Sequence, residues 1–159
     1  MGSGKTTVAC LLAKKLNRKL VSIDDLIVQQ EQSPITDIFA AKGEKYFRAL
    51  ESEIVAQLTY EESLVIDCGG GIVLQDENIK NLKKNGVLVY LKANADVLHE
   101  RTRRSTQRPL LRVNDPKAKI KELLFEREPF YAKADYTIDT STKTVDEVAK
   151  EIIHLIAHA

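Results

Sequence analysis

The chain has 159 residues, a length typical of one domain with a sizeable core. Its 24 lysines and arginines nearly balance its 23 aspartates and glutamates, so a formal net charge of +1 gives no support to a nucleic-acid-binding surface. No apolar run approaches the roughly 18 residues of a membrane helix, and the N-terminus lacks a signal-peptide pattern. Two cysteines, Cys10 and Cys68, do not make a disulfide framework. We therefore expect a reduced, cytoplasmic protein with one domain over residues 1–159.

Helical and strand patterns alternate along the chain. Residues 105–116 are polar and marked by proline, which is typical of a loop. Apolar residues at helical spacing predict helices at residues 4–17, 24–32, 35–43, 44–60, 76–86, 95–104, 116–134 and 144–159. Short apolar runs predict strands at residues 19–24, 63–71, 86–93 and 135–140. This alternation predicts an α/β fold, with a parallel sheet covered by helices on both faces.

Two burial predictions follow from the same patterns. Cys10 falls on the apolar side of the first predicted helix, so we expect it in the core. The strand at residues 86–93 is apolar on both faces, as in a central parallel strand.

The first notable motif is "GSGKTT" at residues 2–7, which matches the end of the phosphate-loop pattern. Its glycines, Gly2 and Gly4, would let backbone N–H groups turn toward phosphate oxygens, with Ser3 and Thr7 in the same loop. Lys5 would reach the outer phosphates, and the Thr6 hydroxyl could bind Mg²⁺. The alternative is an ordinary Gly-Ser turn that caps a helix.

Two acidic sites follow predicted strands. The strand predicted at residues 19–24 ends in Asp24 and is followed by Asp25, at the end of the sheet where ligands of parallel sheets bind. One aspartate could receive a substrate proton and the other could cap the next helix, and we assign the cap to Asp25. Asp67 ends the apolar strand "LVID". In phosphate-loop enzymes, an acidic residue at the end of such a strand supports Mg²⁺.

A glycine triplet, Gly69, Gly70 and Gly71, comes next in the chain. Three successive glycines would allow a ligand to approach the backbone closely, whereas an ordinary strand-to-helix turn rarely needs three. We therefore expect a ligand site at this turn.

Three arginines are candidates for binding anionic groups: Arg48, Arg108 and Arg127. Arg48 shares a helix face with Glu44 and Glu51, and a surface ion pair is the simpler explanation of that spacing. Arg108 lies in the loop "QRPLL", which suits a lid that closes on a reaction. An arginine fork matches carboxylate and phosphate geometry, but spacing alone favours a structural role for each arginine.

Taken together, these motifs resemble the shikimate kinase family over nearly the whole chain. The resemblance rests on "GSGKTT", on Asp24, on "GEKYFRALE" around Arg48, on the glycine triplet, on "RPLL" at Arg108 and on "REPFY" at Arg127. Arg101, in "HERT", falls where the family places a residue against adenine.

The resemblance implies a phosphate-loop kinase fold with strand order 2-3-1-4-5, and a monomer that binds ATP, Mg²⁺ and shikimate but no nucleic acid or membrane. The implied reaction is ATP-dependent phosphorylation of the shikimate 3-hydroxyl in aromatic amino-acid biosynthesis. Helices at about 24–60 would form much of the substrate site. Arg48, Arg127 and the glycine triplet would bind the substrate, and Asp24 would orient or deprotonate its hydroxyl. Lys5, Arg108 and Mg²⁺, held by Thr6 and Asp67, would stabilise the transferring phosphoryl group. A lid would cover residues 105–115.

The sequence departs from the family pattern at two points. The family has Asp-x-Asp at the end of the strand that carries Asp24, and Ser22 takes the place of the earlier aspartate, which lies in the Mg²⁺ shell. The family's first strand and first phosphate-loop glycine have no counterpart before Met1. Since that strand is central, its absence would leave two inner sheet edges unpaired. We therefore expect either about ten further residues upstream or a poorly stable chain that binds ATP weakly.

Two alternatives remain open from the sequence. One is another small-molecule kinase of the same fold, similar to gluconate kinase. The other is a non-catalytic relative that binds a ligand or a partner.

Overall fold

The computed structural model describes residues 2–103, 111 and 113–158. The four strands in this part of the chain are β1 (Lys19–Ser22), β2 (Leu64–Asp67), β3 (Val89–Lys92) and β4 (Tyr136–Asp139). The helices are α1 (Lys5–Leu16), α2 (Ile23–Glu31), α3 (Ile35–Leu58), α4 (Asp76–Lys84), α5 (Ala95–Thr102), α6 (Pro116–Tyr131) and α7 (Val145–Ala157). A 3₁₀ turn occupies Ile72–Leu74.

The strands form two parallel pairs. β1 pairs with β2, and β3 pairs with β4, in registers that place Ser22 beside Asp67 and Lys92 beside Asp139. The expected order 2-3-1-4-5 counts the family's first strand as 1, so β1, β2, β3 and β4 correspond to its strands 2, 3, 4 and 5. The two observed pairs are therefore the neighbours 2-3 and 4-5 of that order, and the parallel pairing confirms the α/β class. Across residues 2–103 and 113–158, no backbone ladder joins β2 to β3. An open groove lies between β3 and the turn that follows β2.

Buried aliphatic side chains hold the helices against the strands. Ile23 and Ile27 of α2 and Val55 of α3 are completely buried in one cluster. Val8 of α1 and Val148 of α7 belong to a second cluster, which also includes residues of β3 and β4. Complete burial of one such side chain stabilises the fold by about 1.5–3 kcal/mol. These clusters fix the first turns of α1 and α2 near the carboxyl ends of β1 and β2.

Local sequence explains where several helices begin and bend. Backbone N–H groups in the first turns are capped by the side chains of Ser22 (α2), Asn94 (α5), Asp115 (α6) and Thr144 (α7). Such caps satisfy donors that have no acceptor within the helix. Gly43 has a φ of 80° and bends α3, so the helices predicted at residues 35–43 and 44–60 meet at a kink.

Three sequence predictions about burial and boundaries are wrong. Cys10 is exposed, because 3.6 residues per turn place it about 200° around α1 from the buried Val8. β1 ends at Ser22, because the Ser22 cap starts α2 immediately after the strand. β3 is only partly buried, since one of its edges lines the groove and Lys92 is exposed.

None of the helices described is long and apolar enough to cross a membrane.

Candidate active site

The phosphate-loop motif forms a tight turn at the start of α1. Gly2 and Gly4 have φ values of 69° and 84°, in the left-handed region that favours glycine. A Cβ atom on Gly2 would lie 2.7 Å from the Thr102 Cγ2 atom, so the loop packs closely on α5. Ser3 is buried, and Lys5 and Thr6 begin the helix, with its positive dipole end beside them. Thr7 is exposed in the same first turn. This arrangement leaves the N–H groups of the first turn available to an anion.

Thr6 and Asp67 meet at the carboxyl ends of the first strand pair. The Thr6 hydroxyl donates a hydrogen bond of 2.5 Å to the Asp67 Oδ2 atom. Ser22 lies beside Asp67 in the strand register, and its hydroxyl accepts a bond of 3.2 Å from the Asp25 backbone N–H. The residue that caps α2 is therefore Ser22, and the prediction that Asp25 is the cap is wrong. A cap requires extended backbone before the helix, which Ser22 has and Asp25, already helical, lacks.

One polar cavity collects the predicted phosphate, metal and proton-transfer residues. Asp24 reaches it from the first turn of α2. Its lining comprises Lys5, Thr6, Ser22, Asp24, Asp67, Cys68, Gly69 and Gly70. Burial, the largest effect, raises the pKa of the Cys68 thiol to about 12, so at neutral pH that side chain is an uncharged part of the wall.

Arg48 is held by two carboxylates of its own helix. Its Nη1 atom lies 2.6 Å from the Glu51 Oε2 atom, and its Nη2 atom lies 2.8 Å from the Glu44 Oε1 atom. Only 12% of the Arg48 side chain and 1% of the Glu51 side chain are exposed, so the pair is not the surface ion pair considered from the sequence. Burial opposes the Arg48 charge, but the neighbouring carboxylates outweigh burial and raise the pKa of Arg48. The guanidinium is therefore fixed in position and permanently charged.

Glu51 is a buried site residue that sequence reasoning did not identify as one. Its Oε1 atom has no hydrogen-bond partner within the described part of the chain. Burial raises the pKa of its carboxyl, and the opposing effect of Arg48 only partly offsets that rise. The sequence does contain a sign that Glu51 is buried, because Glu51 lies on the same face of α3 as the apolar residues Phe47 and Ile54.

The glycine triplet lies directly against these charged groups. A Cβ atom on Gly69 would come within 2.9 Å of the Glu51 Oε1 atom and 3.3 Å of an Asp24 oxygen. A Cβ atom on Gly71 would overlap the Arg48 guanidinium. The carbonyl of Gly70 accepts a hydrogen bond of 2.8 Å from the Tyr131 hydroxyl. The glycines therefore bring Asp24, Glu51 and Arg48 against one stretch of backbone.

The remaining predicted arginines fall in different places. Arg127, on α6, is 5% exposed, and its charge acts on Glu51. Arg101 donates from Nη2 to the Thr140 carbonyl at 3.0 Å, and the Thr140 hydroxyl bonds to the Ser3 carbonyl at 3.3 Å. Arg101 is thus connected to the phosphate loop and not to the Arg48 cluster. Arg108 and most of the predicted lid at residues 105–115 lie outside the described residues.

Comparisons with known proteins agree with this arrangement. A family model described as shikimate kinase matches residues 1–157. The shikimate kinase of Thermodesulfovibrio yellowstonii is 47% identical, over 96% of this chain and 88% of the relative. That of Caldanaerobacter subterraneus is 46% identical, over 96% of this chain and 90% of the relative. A solved shikimate kinase from Acinetobacter baumannii, in complex with shikimate, has a TM-score of 0.95 and 38% identity, covering 99% of this chain and 89% of that one. This chain belongs to the shikimate kinase family.

Proposed function

We propose that this protein transfers the γ-phosphoryl group of ATP to the 3-hydroxyl of shikimate, forming ADP and shikimate 3-phosphate. The observation that carries the proposal is the shared polar cavity, in which the phosphate-loop residues Lys5 and Thr6 lie with the Asp24 carboxylate. A kinase needs its phosphate site and its acceptor hydroxyl side by side, because transfer depends on positioning more than on covalent chemistry. Family membership supplies the identity of the acceptor.

Binding of the acceptor carboxylate falls to Arg48, Arg127 and the glycine turn. Arg48 lies against Gly71, so a carboxylate above this turn could contact the guanidinium and backbone N–H groups together. Arg127 is buried and carries the second positive charge of this region. Because Glu51 and Glu44 already hold Arg48 in place, little side-chain entropy remains to be lost on binding.

Asp24 is the group that we assign to the acceptor hydroxyl. It lies within reach of both the glycine turn and the phosphate-loop cavity. A carboxylate there can accept the hydroxyl proton as the new O–P bond forms. Lys5, at the positive end of α1, would stabilise negative charge on the transferred group. Arg108 remains a proposed third contributor, from the segment that lies outside the described residues.

The residues at the strand ends fit a magnesium ion. Thr6 and Asp67 place a hydroxyl and a carboxylate oxygen side by side, and hard oxygen donors of this kind suit Mg²⁺. The described residues contain no cluster of three or more acidic, histidine or cysteine ligands, and Mg²⁺ commonly uses only one or two protein ligands with water and phosphate. When bound, ATP and Mg²⁺ supply the phosphoryl group and neutralise charge on its oxygens.

The proposal is tested by ADP release from Mg·ATP with shikimate, with gluconate and without an acceptor. Release that requires shikimate is the expected result. Release that requires gluconate would favour the related small-molecule kinase, and no acceptor-dependent release from folded protein would contradict the proposal.

A first prediction separates the two candidate metal-supporting positions, Asp67 and Ser22. We expect Asp67→Asn to raise the Mg²⁺ concentration for half-maximal activity more than Ser22→Ala does, because only the carboxylate carries charge. Ser22→Ala should instead lower the melting temperature, since it removes the α2 cap, worth about 1 kcal/mol. Magnesium titrations and thermal melts of both variants make the comparison, and the reverse order of magnesium dependence would refute the Asp67 assignment.

A second prediction concerns Arg48, which is 12% exposed, and the buried Arg127. Arg48→Ala and Arg127→Ala should each weaken shikimate binding about ten- to hundredfold, because a charge-assisted hydrogen bond is worth about 1.5–3 kcal/mol. The affinity for ATP should change much less. Calorimetric titration of each ligand makes the comparison, with the exposed Arg103→Ala as the matched control.

Arg48→Ala removes the ion-pair partner of the buried Glu51 carboxylate, so a second variant is needed to separate lost binding from lost folding. Arg48→Lys retains the charge but lacks the planar fork. It should fold, and it should bind shikimate less tightly than the unaltered protein does. Equal losses for both ligands would contradict the assignment of these arginines to the acceptor.

A further inference from the structure

The turn formed by Gly69, Gly70 and Gly71 needs something to hold it in place. Glycine has the largest conformational freedom of any residue, so three in succession give the chain no rigidity of its own. Yet Gly69 lies against Asp24 and Glu51, and Gly71 lies against Arg48. A shift of about 1 Å in this turn would change the spacing of groups assigned to the acceptor.

One side-chain hydrogen bond anchors the middle of the turn from the far side of the groove. The Tyr131 hydroxyl donates to the Gly70 carbonyl at 2.8 Å, between residues 61 positions apart in the sequence. Tyr131 is the last residue of α6, one helical turn after Arg127. The same helix end therefore carries an arginine assigned to the acceptor carboxylate and the hydroxyl that holds the turn.

The Tyr131 ring is itself fixed by a second aromatic side chain. It stacks on the Tyr90 ring of β3, with centroids 4.5 Å apart and planes inclined by 15°. Both side chains line the groove beside the turn. Stacking limits the motion of the ring, so the hydroxyl is held where the Gly70 carbonyl can accept its hydrogen bond.

From these contacts we propose that Tyr131 is a positioning residue for shikimate binding, which acts by holding the glycine turn at a fixed distance from the helix end that carries Arg127. Tyr131 acts through the turn and has no part in proton or phosphoryl transfer. The proposal rests on the proposed function for its ligand, but the contact itself belongs to the protein without ligand.

The test compares Tyr131→Phe with Tyr90→Phe. Each change removes one hydroxyl from the same stacked pair and keeps both rings. Only the Tyr131 hydroxyl bonds to the turn, since no hydrogen bond joins Tyr90 to residues 69–71 among the described residues. Tyr90→Phe is therefore the matched control for lost hydroxyl polarity and for altered stacking.

The first measurement needs no substrate. The Ile72 and Leu74 backbone N–H groups bond to the carbonyls of Gly69 and Gly71, so their hydrogen exchange reports opening of the turn. In the free protein, Tyr131→Phe should speed this exchange about three- to tenfold, while Tyr90→Phe should leave it within twofold. Unchanged exchange in Tyr131→Phe would overturn the proposal, whatever the enzyme's activity.

The second measurement is steady-state kinetics. Tyr131→Phe should raise the KM for shikimate about three- to tenfold, with the KM for ATP within twofold and a kcat little changed. Faster exchange with an unaltered shikimate KM, or equal rises in both KM values, would overturn the role in shikimate binding. If the unaltered chain shows no shikimate-dependent ADP release, the proposed function fails and the assignment of Tyr131 to shikimate fails with it, while the exchange result still decides whether Tyr131 holds the turn.

Discussion

Replacing Asp24 with asparagine should lower kcat for shikimate-dependent ADP release about a hundred- to ten-thousandfold, the range typical of losing a general base. Asparagine keeps the shape and some hydrogen bonding, but it cannot accept the hydroxyl proton at neutral pH. The KM for ATP should stay within a fewfold, because Asp24 is assigned to the acceptor and not to the nucleotide. Steady-state kinetics with each substrate varied in turn measures both quantities.

The matched control is Asp25→Asn, one residue further along the same helix turn. Asp25 is exposed, and its hydrogen bond to the Ser22 hydroxyl is donated by its backbone N–H, which the substitution leaves in place. This variant should retain kcat within twofold. An Asp24→Asn protein with near-normal kcat would remove Asp24 from the chemistry, and equal losses in both variants would indicate a general disturbance of α2.

Replacing Lys5 with alanine should lower kcat/KM for ATP about a hundred- to thousandfold. Lys5 lies at the positive end of α1, in the cavity that contains Thr6 and Asp67. Losing one preorganised electrostatic contact to the transition state commonly reduces rates by this factor. The effect should appear at every shikimate concentration, and initial rates over a grid of both substrates measure it.

Lys14→Ala is the control for Lys5, because Lys14 is an exposed lysine in the last turn of the same helix. It should leave kcat/KM for ATP within twofold. The assignment of Lys5 fails if Lys5→Ala is folded by circular dichroism and retains more than a tenth of the wild-type kcat/KM.

Local chemistry explains why much of the fold could be predicted from the sequence. The phosphate-loop glycines need left-handed backbone angles, and "GSGKTT" is recognisable because that requirement restricts the residues it can use. The kink at Gly43 and the alternation of strands with helices are likewise local patterns. Strand ends are less predictable, since Ile23 and Asp24 could equally continue β1 or begin α2.

Properties that depend on tertiary contacts could not be predicted in the same way. Arg48 and Glu51 have the spacing of a surface ion pair. Only the packing of α3 shows that Glu51 is buried and that just 12% of the Arg48 side chain is exposed. The exposure of Cys10 cannot be predicted from a short window of α1, because that window does not reveal which helix face meets β2 and α7. The bond between Tyr131 and Gly70 joins distant segments and has no signature in either one.

The most direct test of the proposed function identifies the product. The chain is incubated with Mg·ATP and shikimate until ADP accumulates, and the acceptor product is examined by phosphorus and proton nuclear magnetic resonance. We expect one new phosphate ester, coupled to the proton on carbon 3 of shikimate, in an amount equal to the ADP formed. An ester at another hydroxyl, or ADP formed with free phosphate and unmodified shikimate, would contradict the assignment of Asp24 and Arg48 to the binding of this acceptor.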